Sequence, residues 1–169
     1  QNFVEDLVVT REGCVAVFDV GSANSYSSYL IWVDHEGRGK KLERFDSSYA
    51  LSFYQLDDGG FIIAGEDGRR TAQLIQTDSA GTLLWRNRYS FAGRSVFHAA
   101  IPLAAGGFLA AGEATRSGKR LSTSALLVNV DAQGQIVWSK LFDTDSSCAF
   151  RAVASVGGDS YLAIGMGDP

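Results

Sequence analysis

Three acidic residues recur at matching places in the chain and are the first candidates for chemistry. Asp19, Glu66 and Glu113 each end a short apolar run, and 47 residues separate each from the next. Two carboxylates at a suitable separation can hydrolyse a glycosidic bond, one as general acid and the other as base or nucleophile. A glycan-acting propeller enzyme is therefore one hypothesis, and solvated loop charges with no catalytic role are the alternative.

Basic residues in the segments that follow two of these acids are candidates for an anion-binding collar. They are Arg69, Arg70, Arg116, Lys119 and Arg120. His98, early in a predicted inner strand, is a further candidate for ligand binding. We assign no catalytic residue and no metal site, because the sequence contains no GxSxG motif, no phosphate-cradling glycine loop before a helix and no Cys/His spacing typical of zinc.

The three acids lie inside a repeated segment. GGFIIAGE (residues 59–66) returns as GGFLAAGE (106–113), and EGCVAVFD (12–19) is a weaker earlier copy. A fourth copy, DSYLAIGM (159–166), carries Met166 where the others carry the acid. Because duplication copies residues whether or not they work, this recurrence is more typical of a structural unit than of a catalytic motif.

A second repeated pattern, Asp-x-x-Gly, follows each of the first three copies. It occurs in DHEGRGKK (34–41), DSAGTLLW (78–85) and DAQGQIVW (131–138). We expect the aspartates to accept backbone N–H bonds in a hairpin turn and the glycines to adopt positive φ. These turn residues are Asp34, Gly37, Asp78, Gly81, Asp131 and Gly134. Trp85 and Trp138 are expected to pack between repeats, and Lys41 stands at the same place in the first repeat.

Each repeat reads as four short β-strands separated by turns at roughly ten-residue intervals, as in antiparallel meanders. Repeats of this length predict β-propeller blades over residues 3–46, 47–90 and 96–143, and a half-blade over 149–166. We therefore predict a single all-β domain of about three and a half blades. A β-trefoil is the alternative fold.

The pattern GGF-x-x-AGE, followed by a strand and then Asp-x-x-Gly-x-x-x-Trp, resembles the repeats of bacterial secreted β-propeller proteins of the quinoprotein-dehydrogenase-like (PQQ-like) superfamily. The resemblance covers nearly the whole chain. It implies a fold more than a function, because such repeats serve enzymes, assembly factors and surface proteins alike. A quinone-dependent dehydrogenase is not expected, since the chain is short and lacks adjacent cysteines, and we predict no cofactor.

Composition limits the classes of partner. The chain has 169 residues, 46% of them hydrophobic, a net charge of −4 and a pI near 5.1. These values indicate a globular domain and disfavour nucleic-acid binding, and no apolar run is long enough for a transmembrane helix. Cys14 and Cys148 are interpreted as free thiols or as a pair formed in an oxidising compartment.

The predicted function is a non-catalytic binding or assembly propeller of a bacterial envelope or secreted protein, with a protein or glycan ligand. The chain begins at Gln1 and not at Met, which suggests an extracytoplasmic, processed protein or part of a longer product. A half-blade exposes an apolar strand edge that invites pairing. We therefore expect a homo-oligomer or a fragment of a larger propeller.

Overall fold

The computed structural model describes residues 2–22, 25–91, 93–115, 122–143 and 146–167. Within these ranges the chain forms fourteen β-strands and no helix, which confirms the all-β prediction. The strands are β1 (Asn2–Thr10), β2 (Gly13–Ser22), β3 (Ser25–Asp34), β4 (Gly39–Asp46), β5 (Ser48–Gln55), β6 (Phe61–Asp67), β7 (Ala72–Thr77), β8 (Leu83–Tyr89), β9 (Ser95–Pro102), β10 (Phe108–Thr115), β11 (Thr123–Val130), β12 (Ile136–Phe142), β13 (Cys148–Gly157) and β14 (Ser160–Gly167). No helix in these ranges is long and apolar enough to cross a membrane.

The strands form four separate antiparallel sheets in chain order. The first sheet contains β1–β4, the second β5–β8, the third β9–β12 and the fourth only β13 and β14. Every sheet is a simple meander, which agrees with the short turns between the apolar runs. This arrangement is consistent with propeller blades and differs from the single closed barrel that a β-trefoil requires.

Successive sheets pack face to face through the first strand of the later sheet. β5 lies against β1–β3, β9 against β5–β7, and β13 against β9–β11. The middle strands β6 and β10 are buried on both faces, which explains why their sequences are apolar without alternation. The core therefore consists of three layers of side chains, one at each contact between sheets.

The three Asp-x-x-Gly segments are hairpin turns in which the aspartate carbonyl accepts the glycine N–H and its Oδ1 accepts the N–H four residues on. In the last of them Asp131 Oδ1 accepts the N–H groups of Gln133 and Gln135 at 2.9 and 2.8 Å. Its carbonyl accepts the Gly134 N–H at 2.9 Å. Gly37, Gly81 and Gly134 have φ values of 78°, 79° and 74°, in the left-handed region that favours glycine. Local side-chain to backbone bonding thus explains why this pattern recurs.

The two cysteines are both free and half-buried. Cys14 lies on β2 of the first sheet and Cys148 at the start of β13 in the fourth sheet. The Cys148 Sγ is placed to donate to the Phe142 carbonyl at 3.2 Å, so this thiol serves the local hydrogen bonding of the chain.

Candidate functional site

The first strand of each sheet contains a β-bulge at the same repeat position, and β13 has a second irregularity between Ser155 and Gly157. In the four strands the unpaired residues are Glu5, Leu51, His98 and Arg151. A bulge bends a strand and re-aims one side chain, and bulges are common beside functional sites. The bulged residues therefore share one place in four successive sheets, next to the acids of the first three second strands and Met166 of the fourth.

Glu113, His98 and Arg151 come together between the third and fourth sheets. An Arg151 guanidinium nitrogen lies 2.6 Å from His98 Nε2 and another lies 3.6 Å from Glu113 Oε2. His98 Nε2 is itself 3.9 Å from that oxygen. The interaction with His98, followed by the charges of Arg151 and Arg94, lowers the pKa of Glu113. Glu113 is therefore held as a carboxylate and does not suit the role of a general acid.

Glu66 is bound by a different cation. Arg94 donates to both of its carboxylate oxygens at 3.1 Å, in the two-pronged geometry that a planar guanidinium favours. The charge of Arg94 also acts on Glu113. The second and third acids thus belong to one row of alternating charges, Glu66, Arg94, Glu113 and Arg151.

Asp19, the first acid, is buried and only 3% exposed. Its Oδ1 accepts a 2.5 Å hydrogen bond from Ser28 Oγ and a weaker 3.2 Å bond from the Ala50 N–H, whereas its Oδ2 has no partner. Burial raises the pKa of Asp19 to about 6, against the opposing effect of the Ser28 and Ala50 hydrogen bonds. Asp19 therefore joins the first sheet to the second and is closed off from solvent.

Each of the three acids is either bonded to a cation or buried. Arg94 is hydrogen-bonded to both carboxylate oxygens of Glu66, the pKa of Glu113 is lowered, and Asp19 is buried. A retaining or inverting mechanism needs one solvent-accessible carboxylic acid and a second free carboxylate across the sugar. This geometry supports ion pairing along the inner strands instead of hydrolysis.

The structure describes two of the five basic residues predicted as a collar. Arg69 and Arg70 have exposed side chains, in a turn whose structure depends on buried Asp67. Arg116, Lys119 and Arg120 lie outside the described residues. Among the described residues, the arginines that contact Glu66 and Glu113 are Arg94 and Arg151, which sequence reasoning did not select. Aligning FHAA with FRAV would have paired Arg151 with His98 and is the one signal that pointed to it.

A second repeated site joins the outer strand of one sheet to the turn of the next. Trp85 Nε1 on β8 donates to the Ala132 carbonyl at 3.1 Å, and Tyr89 Oη donates to the Gly134 carbonyl at 2.8 Å. The indole also meets the edge of Phe108, with ring centroids 5.9 Å apart. β8 thus binds the β11–β12 turn through its aromatic side chains.

The first sheet binds the second in the same way but with a different residue. Trp32, on β3 opposite Lys41, packs against Gly81 and meets Phe61 with ring centroids 6.1 Å apart. Lys41 lies over the Trp32 ring at 5.6 Å, and its Nζ donates to the Ala80 carbonyl. Trp32 and Lys41 together therefore fill the place that Trp85 fills one sheet later.

Trp138, the repeat equivalent of Trp85 on β12, is 44% exposed. The sequence predicts that Trp138 packs between repeats, and its exposure differs from that prediction. The fourth sheet, as described, has no third and fourth strands to cover it. Its indole lies at the surface for that reason.

A cleft of about 1120 Å³ opens between the first and second sheets on the side of the turns. Val15, Trp32 and Phe61 contribute apolar walls, and charged groups stand at its rim. One rim acid, Asp34, is already bonded to Arg38 and Lys40 at 2.9 and 3.1 Å.

Comparison with known protein families found no family that matches the chain, and comparison with curated proteins found no match either.

Proposed function

We propose that the four sheets are blades of a β-propeller and that the chain is a non-catalytic binding or assembly module of a bacterial secreted or envelope protein. The sheet order, the repeated turns and the resemblance to quinoprotein-type repeats support this proposal. The acids of the second strands, which are ion-paired or buried, favour binding over catalysis.

The apolar surface at the two ends of the row of sheets is the observation that carries the proposal. In the first sheet Leu7 and Val9 are 56% and 75% exposed, and in the fourth sheet Leu162 and Ile164 are 49% and 57% exposed. Water-exposed aliphatic groups grouped on a sheet face are typical of protein contact surfaces. We therefore favour a protein ligand over a glycan.

Sedimentation velocity of the chain at micromolar concentration tests this function. We expect association that weakens when Leu162→Lys and Ile164→Lys are combined, or when Leu7→Lys and Val9→Lys are combined. Leu84→Lys is the matched control, because Leu84 is 56% exposed on β8 of the second sheet, away from both ends.

Two outcomes would contradict the proposal. One is a compact monomer at every concentration, and the other is association that survives both pairs of lysine substitutions. Circular dichroism of each variant shows whether the lysines leave the strands intact.

A further inference from the structure

An arginine pairs with the acid of the second strand at two of the three contacts between sheets. Between the third and fourth sheets, Arg151 contacts both His98, the bulged residue, and Glu113, the acid. Between the second and third sheets, Arg94 donates to both carboxylate oxygens of Glu66. Arg94 directly precedes β9 and Arg151 lies on β13. The acid of one sheet is therefore paired with a guanidinium group from the start of the next sheet.

The contact between the first and second sheets has no such cation. Its bulged residue is Glu5 and its acid is Asp19, so two carboxyl groups stand where the third sheet has a histidine and a carboxylate. The second sheet offers Leu51 and Ser47 at the repeat positions where the later sheets have their arginines. Among the described residues, no Lys, Arg or His forms an ion pair with Glu5 or Asp19. This acidic position therefore lacks the counter-ion that the other two have.

One carboxyl oxygen at this position is buried and has no hydrogen-bond partner in the protein. Asp19 is 3% exposed, and only its Oδ1 is bonded, with Ser28 Oγ donating to it at 2.5 Å. A buried polar atom without a partner is uncommon, because it has lost its hydrogen bonds to water. Glu5 is only half-buried, so a solute can reach its carboxylate. The position thus combines an accessible carboxylate with a buried oxygen that nothing satisfies.

Two tyrosines stand beside these carboxyl groups. Tyr49, on β5, is half-buried and meets Tyr26 of β3 edge to face, with ring centroids 5.8 Å apart. Burial first, and then the charges of Glu5 and Asp19, raise the pKa of Tyr49. The phenol is therefore close enough to both carboxyl groups to be influenced by their charge. A guanidinium group can stack on an aromatic ring while it bonds to a carboxylate.

We propose that Glu5, Asp19 and the ring of Tyr49 form a binding site for a guanidinium group, supplied by an arginine side chain of a partner protein. The guanidinium pairs with Glu5 and lies beside Asp19, as Arg151 lies beside Glu113 in the last contact. An organic cation is favoured over a metal ion, because no group of three His, Cys, Asp or Glu side chains in the described part of the chain could hold one. This inference rests on the proposed function, and it names the chemical group by which the protein ligand is bound.

Two capped tripeptides that differ in one group test the site. Acetyl-Gly-Arg-Gly-amide carries the guanidinium, and acetyl-Gly-citrulline-Gly-amide replaces it with an uncharged urea of nearly the same shape. Each is titrated into the whole chain at neutral pH, and the NMR signal of the Ala50 amide, which lies 3.2 Å from Asp19 Oδ1, reports binding. We expect a saturable shift with the arginine peptide and at least about tenfold weaker binding of the citrulline peptide, because charge-assisted hydrogen bonds are the stronger ones. Equal binding of the two peptides, or no saturable shift, would overturn the proposal.

A pair of variants shows where the arginine peptide binds. Glu5→Gln should weaken its binding at least about tenfold, because the accessible carboxylate is lost. Glu12→Gln is the matched control, since Glu12 is an exposed acid in the turn after β1 and is expected to leave binding unchanged. Equal effects of the two substitutions would overturn the proposal.

A guanidinium built into the chain supplies a second measurement. Leu51→Arg places one at the repeat position of Arg151, and Leu51→Gln is the uncharged control for the loss of the leucine. We expect Leu51→Arg to melt at a higher temperature than Leu51→Gln at neutral pH, and to bind the arginine peptide at least about tenfold more weakly than Leu51→Gln does.

The acids must account for this difference in melting temperature. Combining Glu5→Gln with Asp19→Asn should therefore abolish it. A difference that persists in their absence, or a Leu51→Arg chain that binds the peptide as Leu51→Gln does, would overturn the proposal.

The guanidinium site and the proposed function fail in different ways. Self-association that is lost on Leu162→Lys with Ile164→Lys, without preference for the arginine peptide, overturns the guanidinium site alone. A compact monomer that shows no such preference overturns both.

Discussion

The indole of Trp85 covers Gly134, the glycine in the turn of the following sheet. An ideal Cβ on Gly134 would lie 2.9 Å from two Trp85 ring atoms and 2.4 Å from Asn87 Nδ2. Glycine is thus required here for two reasons, its positive φ and the space that its missing side chain leaves to the neighbouring sheet. A turn that looks purely local in the sequence is also an interface.

Replacing this glycine should weaken the contact between the second and third sheets. We expect Gly134→Ala to lower the free energy of unfolding by about 2–3 kcal/mol, from backbone strain and displaced aromatic side chains together. Gly37→Ala is the matched control, since Gly37 has φ of 78° and an added Cβ would meet no atom within 4 Å. Urea denaturation should show a loss of about 1 kcal/mol for the control, and equal losses would contradict an interface role.

Cys148 acts as the counterpart of Ser95. Ser95 Oγ accepts the Ala72 N–H at 3.0 Å and donates to the Tyr89 carbonyl at 3.2 Å. One sheet later, Cys148 Sγ accepts the Ala125 N–H at 3.3 Å and is placed to donate to the Phe142 carbonyl.

The equivalence predicts different results for two substitutions of the thiol. Cys148→Ser should retain stability to within about 0.5 kcal/mol, whereas Cys148→Ala should lose about 1–2 kcal/mol because it leaves the Ala125 N–H without a partner. Chemical denaturation under reducing conditions measures both. An alanine variant as stable as the serine variant would show that the thiol bonds contribute nothing.

The buried carboxyl of Asp19 should make stability fall as the pH rises. Its pKa is about 6 in the folded protein and near 3.8 when unfolded, so between these values the folded state holds the extra proton. By linkage, the free energy of unfolding decreases through this window, by up to about 3 kcal/mol, and stays lower above it.

Asp19→Asn cannot ionise and should lack this component. The stability of the variant relative to wild type is therefore expected to rise between pH 4 and pH 6 and to level off above pH 6. Thermal or urea unfolding across that range measures the difference. A difference that does not change with pH would contradict a raised pKa.

Strands and turns followed from the sequence because both depend on short-range patterns. The apolar runs that end at Glu66 and Glu113 form strands, and the Asp-x-x-Gly segments contain their own hydrogen-bond acceptors. Matching the repeats by spacing was enough to locate them.

The arrangement of the site depended on pairing between strands, which spacing does not reveal. In the first sheet Trp32 packs against the next turn as Trp85 does in the second sheet. It can do so because it lies opposite Lys41, the residue at the repeat position of Trp85, on the neighbouring strand. Asp19 pairs with Ser28 across the neighbouring strands, whereas Glu66 pairs with Ala72 and Glu113 pairs with Ala125.

The bulges were the third feature that pattern reasoning missed. An unpaired residue at the same place in the first strand of each sheet shifts the register of the residues before it, so that Glu5 and Leu51 share the place of His98 and Arg151. Such a shift depends on hydrogen bonding to the second strand and leaves no periodic signal.

Comparing the free energies of unfolding of the Trp85→Ala and Trp138→Ala variants tests the central claim most directly. The claim is that Trp85 packs the outer strand of the second sheet against the next sheet, whereas Trp138 on the outer strand of the third sheet is exposed. Both tryptophans stand at the same repeat position and follow the same turn motif. We expect Trp85→Ala to lower the free energy of unfolding of the monomer by about 3 kcal/mol or more, and Trp138→Ala to change it by less than about 0.5 kcal/mol. Similar losses for the two variants would show that Trp138 is already packed, and would contradict that claim.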